Sequence, residues 1–210
     1  MVNGLSELQN NMNLNKIFYT PVWSGTIDCV TIDQLDDVYK FCMTECNNDS
    51  GKISSNVGGW QSKDYFYQQL TDTPLKSVLN IILDNINDCM KTMGSPAKVK
   101  FANIWMNVNF FENTNKLHTH GGVLSGVFYV KTPPNSGSIY FSREFDLANW
   151  FIGSIMSQHN TEASVTEMQL YPAERMLVLF PAWVPHGVKP HNTIENRVSI
   201  SFNTQLDFGE

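Results

Sequence analysis

The sequence predicts an α+β fold, with helices gathered in its first half and an antiparallel sheet system in its second. Apolar residues recur at helical spacing up to about residue 93, and after residue 96 the period changes to two. Gly94-Ser95-Pro96 stands between the two regimes and stops the last helix. A chain of 210 residues fits one domain. Its expected boundaries are 16–210, with helical support over 31–93 and a strand core over 97–205. The Asn-rich residues 1–15 read as a loose arm.

Each element has its own reason. Ile17 to Trp23 alternates weakly around Pro21 and reads as a short edge strand. Thr31 or Asp33 can cap a helix carrying Leu35, Val38, Tyr39, Cys42 and Met43 on one face. Ser50 to Ser62 is rich in Gly, Ser and Asn and reads as a loop ending in Gly58-Gly59-Trp60-Gln61. A second helix is expected from Pro74 to about Met93, with Leu75, Val78, Leu79, Ile82, Ile86 and Cys89 on one face. Strands follow at Lys98–Phe111, Val123–Lys131, Ser138–Phe141, Met176–Phe180, Pro185–Pro190 and Arg197–Thr204.

Composition narrows the function classes. Apolar residues make up 42%, aromatic residues 12% and charged residues 16%, which excludes intrinsic disorder and a coiled coil. The net charge of −6 argues against a nucleic-acid partner, because phosphate binding rests on a basic face. No apolar run approaches the 18 or so residues that span a bilayer, so no membrane partner is expected. The N-terminal residues lack the pattern of a signal peptide. Cys29, Cys42, Cys46 and Cys89 show no C-x-x-C spacing and read as reduced thiols, giving a cytoplasmic expectation.

Two strands alternate in an informative way. Ala102, Ile104, Met106, Val108 and Phe110 share one face, and Asn103, Trp105, Asn107 and Asn109 the other. In the last strand Val198, Ile200 and Phe202 oppose Arg197, Ser199, Ser201 and Asn203. A solvated face would carry Lys, Glu and Thr; Asn, Ser, Trp and a single Arg read as the lining of a polar cavity. Beside these lie His118-Thr119-His120 and, late in the chain, Pro185-His186. Residues i and i+2 of a strand point the same way, so His118 and His120 can converge on one ion with His186. Imidazole suits Fe, Zn, Cu and Ni. Arg197 can grip a dicarboxylate end-on, and Ser199 on the same face adds a donor.

These blocks resemble a largely uncharacterised bacterial and phage branch of the 2-oxoglutarate/Fe(II)-dependent oxygenases. The likeness runs through Ile104–Asn109, His118-x-His120, Leu124–Val130, Phe180–Val188 and Asn196–Asn203, with Gly59-Trp60-Gln61 upstream. It implies a double-stranded β-helix (jelly-roll) core with the N-terminal helices packed on its outer face. It also implies Fe(II) and 2-oxoglutarate as cofactors, with O2 and a small-molecule or peptide substrate as partners. His118 falls on the first metal histidine, His186 on the distal one, Arg197 on the residue that binds the far carboxylate of 2-oxoglutarate, and Ser199 on its Arg-x-Ser partner. Asn107 is a candidate hydrogen-bond donor to cosubstrate or substrate. Ser125 and Tyr129 share a strand face, and the Tyr129 hydroxyl either meets the cosubstrate or belongs to the core.

The departure is His120, which stands where the superfamily carries Asp or Glu. It is a third imidazole ligand, or it swings away and leaves two histidines with solvent or chloride, or the metal is not iron. Glu112, Glu144 and Asp146 are alternative carboxylates; His159 and His191 read as solvated loop histidines, and Trp183 as packing beside the distal histidine. The expected activity is a non-haem dioxygenase that hydroxylates its substrate with release of succinate and CO2. A three-histidine cupin-type dioxygenase without 2-oxoglutarate and a non-catalytic metal-binding jelly roll are the alternatives. Trp150, Phe151, Ile152 and Met156, between Phe141 and Val165, read either as a lid or as a small packed helix. The oligomeric state stays open, a homodimer among the options.

Overall fold

The computed structural model describes residues 19–143 and 165–209. Helix α1 spans Ile32–Asn48 and helix α2 spans Leu75–Thr92, with a 3₁₀ turn at Tyr67–Leu70 between them. Thr31 caps α1 in a reciprocal box: its hydroxyl accepts from the Gln34 N–H at 3.2 Å, and the Gln34 side chain accepts from the Thr31 N–H at 2.9 Å. Gly94, at φ +73°, takes the left-handed conformation that ends α2.

Eleven strands form two antiparallel sheets among the described residues. They are β1 (Trp23–Thr26), β2 (Asn56–Val57), β3 (Trp60–Gln61), β4 (Lys98–Asn109), β5 (Thr114–His118) and β6 (Leu124–Lys131). The remainder are β7 (Ile139–Ser142), β8 (Glu167–Leu170), β9 (Met176–Pro181), β10 (His186–Val188) and β11 (Arg197–Asp207). One sheet runs β1-β9-β6-β11-β4-β3, the other β2-β5-β10-β7-β8. This is the two-sheet arrangement of a jelly roll.

The alternation of each strand divides its residues between two cores. Ile104, Met106, Val108, Val198, Ile200 and Phe202 are fully buried against Val38, Val78, Leu79, Ile82 and Ile86 of the helices. The other face of the six-stranded sheet looks inward, where Val127, Tyr129, Val178 and Phe180 meet Ile139 and Phe141. Packing the apolar faces of β4 and β11 outward under the helices leaves their inward faces to polar side chains beside that core.

Four expectations are corrected. Among the described residues the first strand is Trp23–Thr26, and residues 19–22 of the expected Ile17–Trp23 strand are unpaired, because Pro21 cannot donate to the ladder and pairing to β9 begins after it. The loop Ser50–Ser62 contains β2 and β3, each two residues long and held by distant partners. The register slips between Asn203 and Thr204, which moves Phe101 into the helix-side core and leaves Ala102 half-buried. Phe110 lies past the end of β4 and is 40% exposed. Trp150, Phe151, Ile152, Met156 and His159 lie outside the described residues.

Candidate metal centre

Strand pairing brings the histidines together. His186 sits directly opposite His118 across the β10–β5 ladder. His120 lies two residues beyond the end of β5, so strand alternation is not what aims it. Its N–H instead donates to the Ala182 carbonyl at 2.9 Å, tying the segment after β5 to the turn that precedes His186. The three side chains offer ligand atoms all within 4.8 Å of one another. Their ring centroids lie 4.4 to 5.1 Å apart.

Two of the rings are fixed in one tautomer. His118 Nδ1 is 2.7 Å from the Lys116 carbonyl, and His186 Nδ1 is 2.8 Å from the Val184 carbonyl. A carbonyl only accepts, so each Nδ1 carries the proton and each Nε2 keeps its lone pair. Backbone carbonyls orient metal-binding imidazoles in this way. Burial, with His118 beside it, holds His186 down at about 3, and burial likewise lowers His120 to about 4. His118 is lowered too, again chiefly by burial. All three are therefore neutral near pH 7, as ligation requires. The Phe180 ring lies tilted 4.5 Å from His186 and the Trp105 ring 5.5 Å from His120, which supplies the apolar surroundings.

The same cavity is lined by Asn107, Asn109, Ser125, Tyr129, Arg197 and Ser199. The β4–β11 register sets Arg197 opposite Asn109 and Ser199 opposite Asn107. Arg197 is 2% exposed; one terminal nitrogen donates to the Gly137 carbonyl and the other to Asn109 Oδ1 at 2.8 Å. Among the described residues no carboxylate lies within ion-pair distance of it. A guanidinium stays charged, and a buried charge without a counter-ion is costly. Two of its five N–H groups are engaged, leaving donors for an anion. Asn107 donates to the Ser201 hydroxyl at 3.0 Å, and Ser125 to Asn203 at 2.6 Å, so both are held by the cavity wall. Burial raises the Tyr129 hydroxyl to about 12 against the pull of Arg197, so it stays protonated.

Sequence reasoning put Asn109 on the polar face of β4 but did not assign its bond to Arg197, which shows only once the register is known. It also missed Ser55, which reaches 3.4 Å from His118 Nε2 and accepts from Asn115 at 3.1 Å. Nothing in the bend before β2 signals that. His191 is not solvated: it is fully buried. Trp183 is 62% exposed rather than packed beside His186. Glu112 is no member of the histidine cluster, and Glu144 and Asp146 lie outside the described residues.

Residues 103–203 match the model of the family described as "Putative 2OG-Fe(II) oxygenase". No curated protein matches the chain. Among solved structures, a Pseudomonas putida prolyl-4-hydroxylase superposes with a TM-score of 0.61 at 12% identity, over 89% of this chain and 92% of that one. HygX from Streptomyces hygroscopicus, crystallised with nickel and 2-oxoglutarate, gives 0.57 at 10% identity, over 90% and 84%. At these identities the likeness is one of fold, and the fold it shows is the jelly roll described above.

Proposed function

We propose that the protein, whose residues 103–203 match the family model described as "Putative 2OG-Fe(II) oxygenase", is an Fe(II)- and 2-oxoglutarate-dependent dioxygenase that oxidises a small-molecule or peptide substrate with O2, releasing succinate and CO2. The observation that carries the reading is the presence, in one cavity, of three converging imidazoles and a buried guanidinium with no carboxylate partner among the described residues. The donor set fits the metal, because imidazole ligates iron and the tautomers leave Nε2 bare. The unpaired guanidinium fits a dicarboxylate.

In this reading His118, His120 and His186 hold the ion, and Arg197 anchors the far carboxylate of 2-oxoglutarate with Ser199 as an added donor. When bound, the metal and cosubstrate together supply the activation of O2. The chain's own residues supply order. The Lys116 and Val184 carbonyls keep two imidazoles from rotating. Asn109 and Gly137 keep the guanidinium in plane. Phe180 and Trp105 exclude water around the imidazoles. A three-histidine dioxygenase without 2-oxoglutarate would have no use for Arg197.

The test is anaerobic addition of Fe(II) and 2-oxoglutarate, read as a weak visible charge-transfer band. Wild type should develop the band. Arg197→Ala should retain iron yet need at least about tenfold more 2-oxoglutarate, the size of a lost charged hydrogen-bonded pair. If Arg197→Ala binds 2-oxoglutarate as tightly as wild type, the anchor assignment fails. No band with iron bound would turn the reading toward direct dioxygenation.

A further inference from the structure

Two buried side-chain polar atoms among the described residues lack a hydrogen-bond partner: Nε of Arg197 and Nδ1 of His191. They are complementary. The Arg197 Nε–H can only donate. His191 Nε2 lies 2.6 Å from the Glu195 carbonyl, so Nε2 carries the ring proton and Nδ1 is left with a lone pair that can only accept. Each orphan alone would cost on the order of 1–3 kcal/mol of desolvation.

The two sit in one neighbourhood: the His191 ring bonds to Glu195, two residues before Arg197, and feels the Arg197 charge. His191 is pinned at both ends: its N–H donates to the Asn113 carbonyl at 3.0 Å, and its carbonyl accepts from the Glu112 N–H at 2.8 Å. Both side chains are almost fully excluded from solvent. Arg197's terminal nitrogens are spoken for by Gly137 and Asn109, each with one N–H to spare, so Nε is the edge still unheld.

We infer that His191 is a positioning residue for Arg197: through one trapped water, its Nδ1 lone pair accepts the hydrogen bond that starts at the guanidinium Nε–H, and this fixes the plane in which the two remaining terminal N–H groups meet the carboxylate of 2-oxoglutarate. The positioning role rests on the reading of Arg197 as the cosubstrate anchor; the hydrogen bond itself does not. His191 touches neither metal nor substrate in this account and acts through Arg197. Burial and the neighbouring Arg197 charge both keep the ring neutral, which is the state that leaves Nδ1 free to accept.

The test has two arms on the intact chain. In nitrogen-15 NMR, wild type should show His191 protonated at Nε2 and bare at Nδ1, with a slowly exchanging Arg197 Nε–H. His191→Leu should speed that exchange at least about tenfold, the factor for one hydrogen bond to a charged group. A wild-type ring protonated at Nδ1, or unchanged exchange in His191→Leu, overturns the pair; the wild-type tautomer decides even if the variant does not fold. In calorimetric titration of the iron-loaded protein, His191→Leu should weaken 2-oxoglutarate about tenfold with iron affinity unchanged. His191→Asn, whose amide oxygen replaces the Nδ1 acceptor, should recover to within about threefold. Undiminished 2-oxoglutarate affinity in His191→Leu overturns the positioning role. If instead Arg197→Ala leaves 2-oxoglutarate binding intact, the anchor reading fails, and the exchange measurement still decides the pair.

Discussion

His120 stands where a carboxylate would give the ion a negative ligand, and the difference can be followed by counting charge. Three neutral imidazoles leave an Fe(II) site at +2, whereas two imidazoles and an aspartate leave it at +1. The first should hold the 2-oxoglutarate dianion more firmly and the bare ion less firmly. Each imidazole must also be neutral to ligate, so protons compete with the ion as pH falls. His120→Ala should weaken iron retention at least about tenfold. His120→Asp should restore retention without adding any pH dependence between about 5.5 and 7, because burial already holds His120 neutral over that range and aspartate titrates near 3.9. Iron remaining after dialysis across that range measures both. If His120→Ala keeps its iron like wild type, two histidines and solvent hold the site.

At the scale of elements, the fold depends on each strand of the large sheet serving two cores. Gly126 of β6 is the tightest point of that arrangement: a Cβ there would sit 2.5 Å from Phe202 and 2.7 Å from Leu179, both almost fully buried. Gly126→Ala should therefore destabilise by about 1–3 kcal/mol as overpacking. A urea midpoint equal to wild type would show that Phe202 and Leu179 can move aside. Elements of this kind were readable where a pattern is local. The cap at Thr31, the α2 stripe and the β11 alternation all follow from neighbouring residues. What was not readable depends on partners far along the chain. β2 and β3 exist because β5 and β4 pair with them, and the slip opposite Ala102 exists because β11 and β4 differ by one residue. Of the site, the His-x-His and the Arg-x-Ser spacing were visible. That Asn109 and His191 attend Arg197 was not, because one is set by register and the other by a turn that buries a residue whose polar neighbours read as solvated.

The whole molecule is acidic, at −6, yet it concentrates three imidazoles and an unpaired guanidinium between its sheets. That contrast makes its stability depend on pH in a definite direction. In the unfolded chain a histidine takes up a proton near 6.5. In the folded chain His186 does so only at about 3, and His120 at about 4, because burial disfavours the charged ring. Above 6.5 neither state binds the proton and the histidines leave stability unchanged. Between 6.5 and those lower values the unfolded chain binds more protons, so stability falls as pH falls. By pH 5 the 1.5-unit gap at His186 amounts to about 2 kcal/mol, with a smaller share from the less buried His120. The metal-free protein should therefore lose urea resistance between pH 7 and 5, and His186→Gln, which cannot titrate, should lose about 2 kcal/mol less over the same interval. Equal pH slopes for wild type and His186→Gln would mean that His186 is protonated in the folded chain, and with it the neutral three-imidazole site would fail.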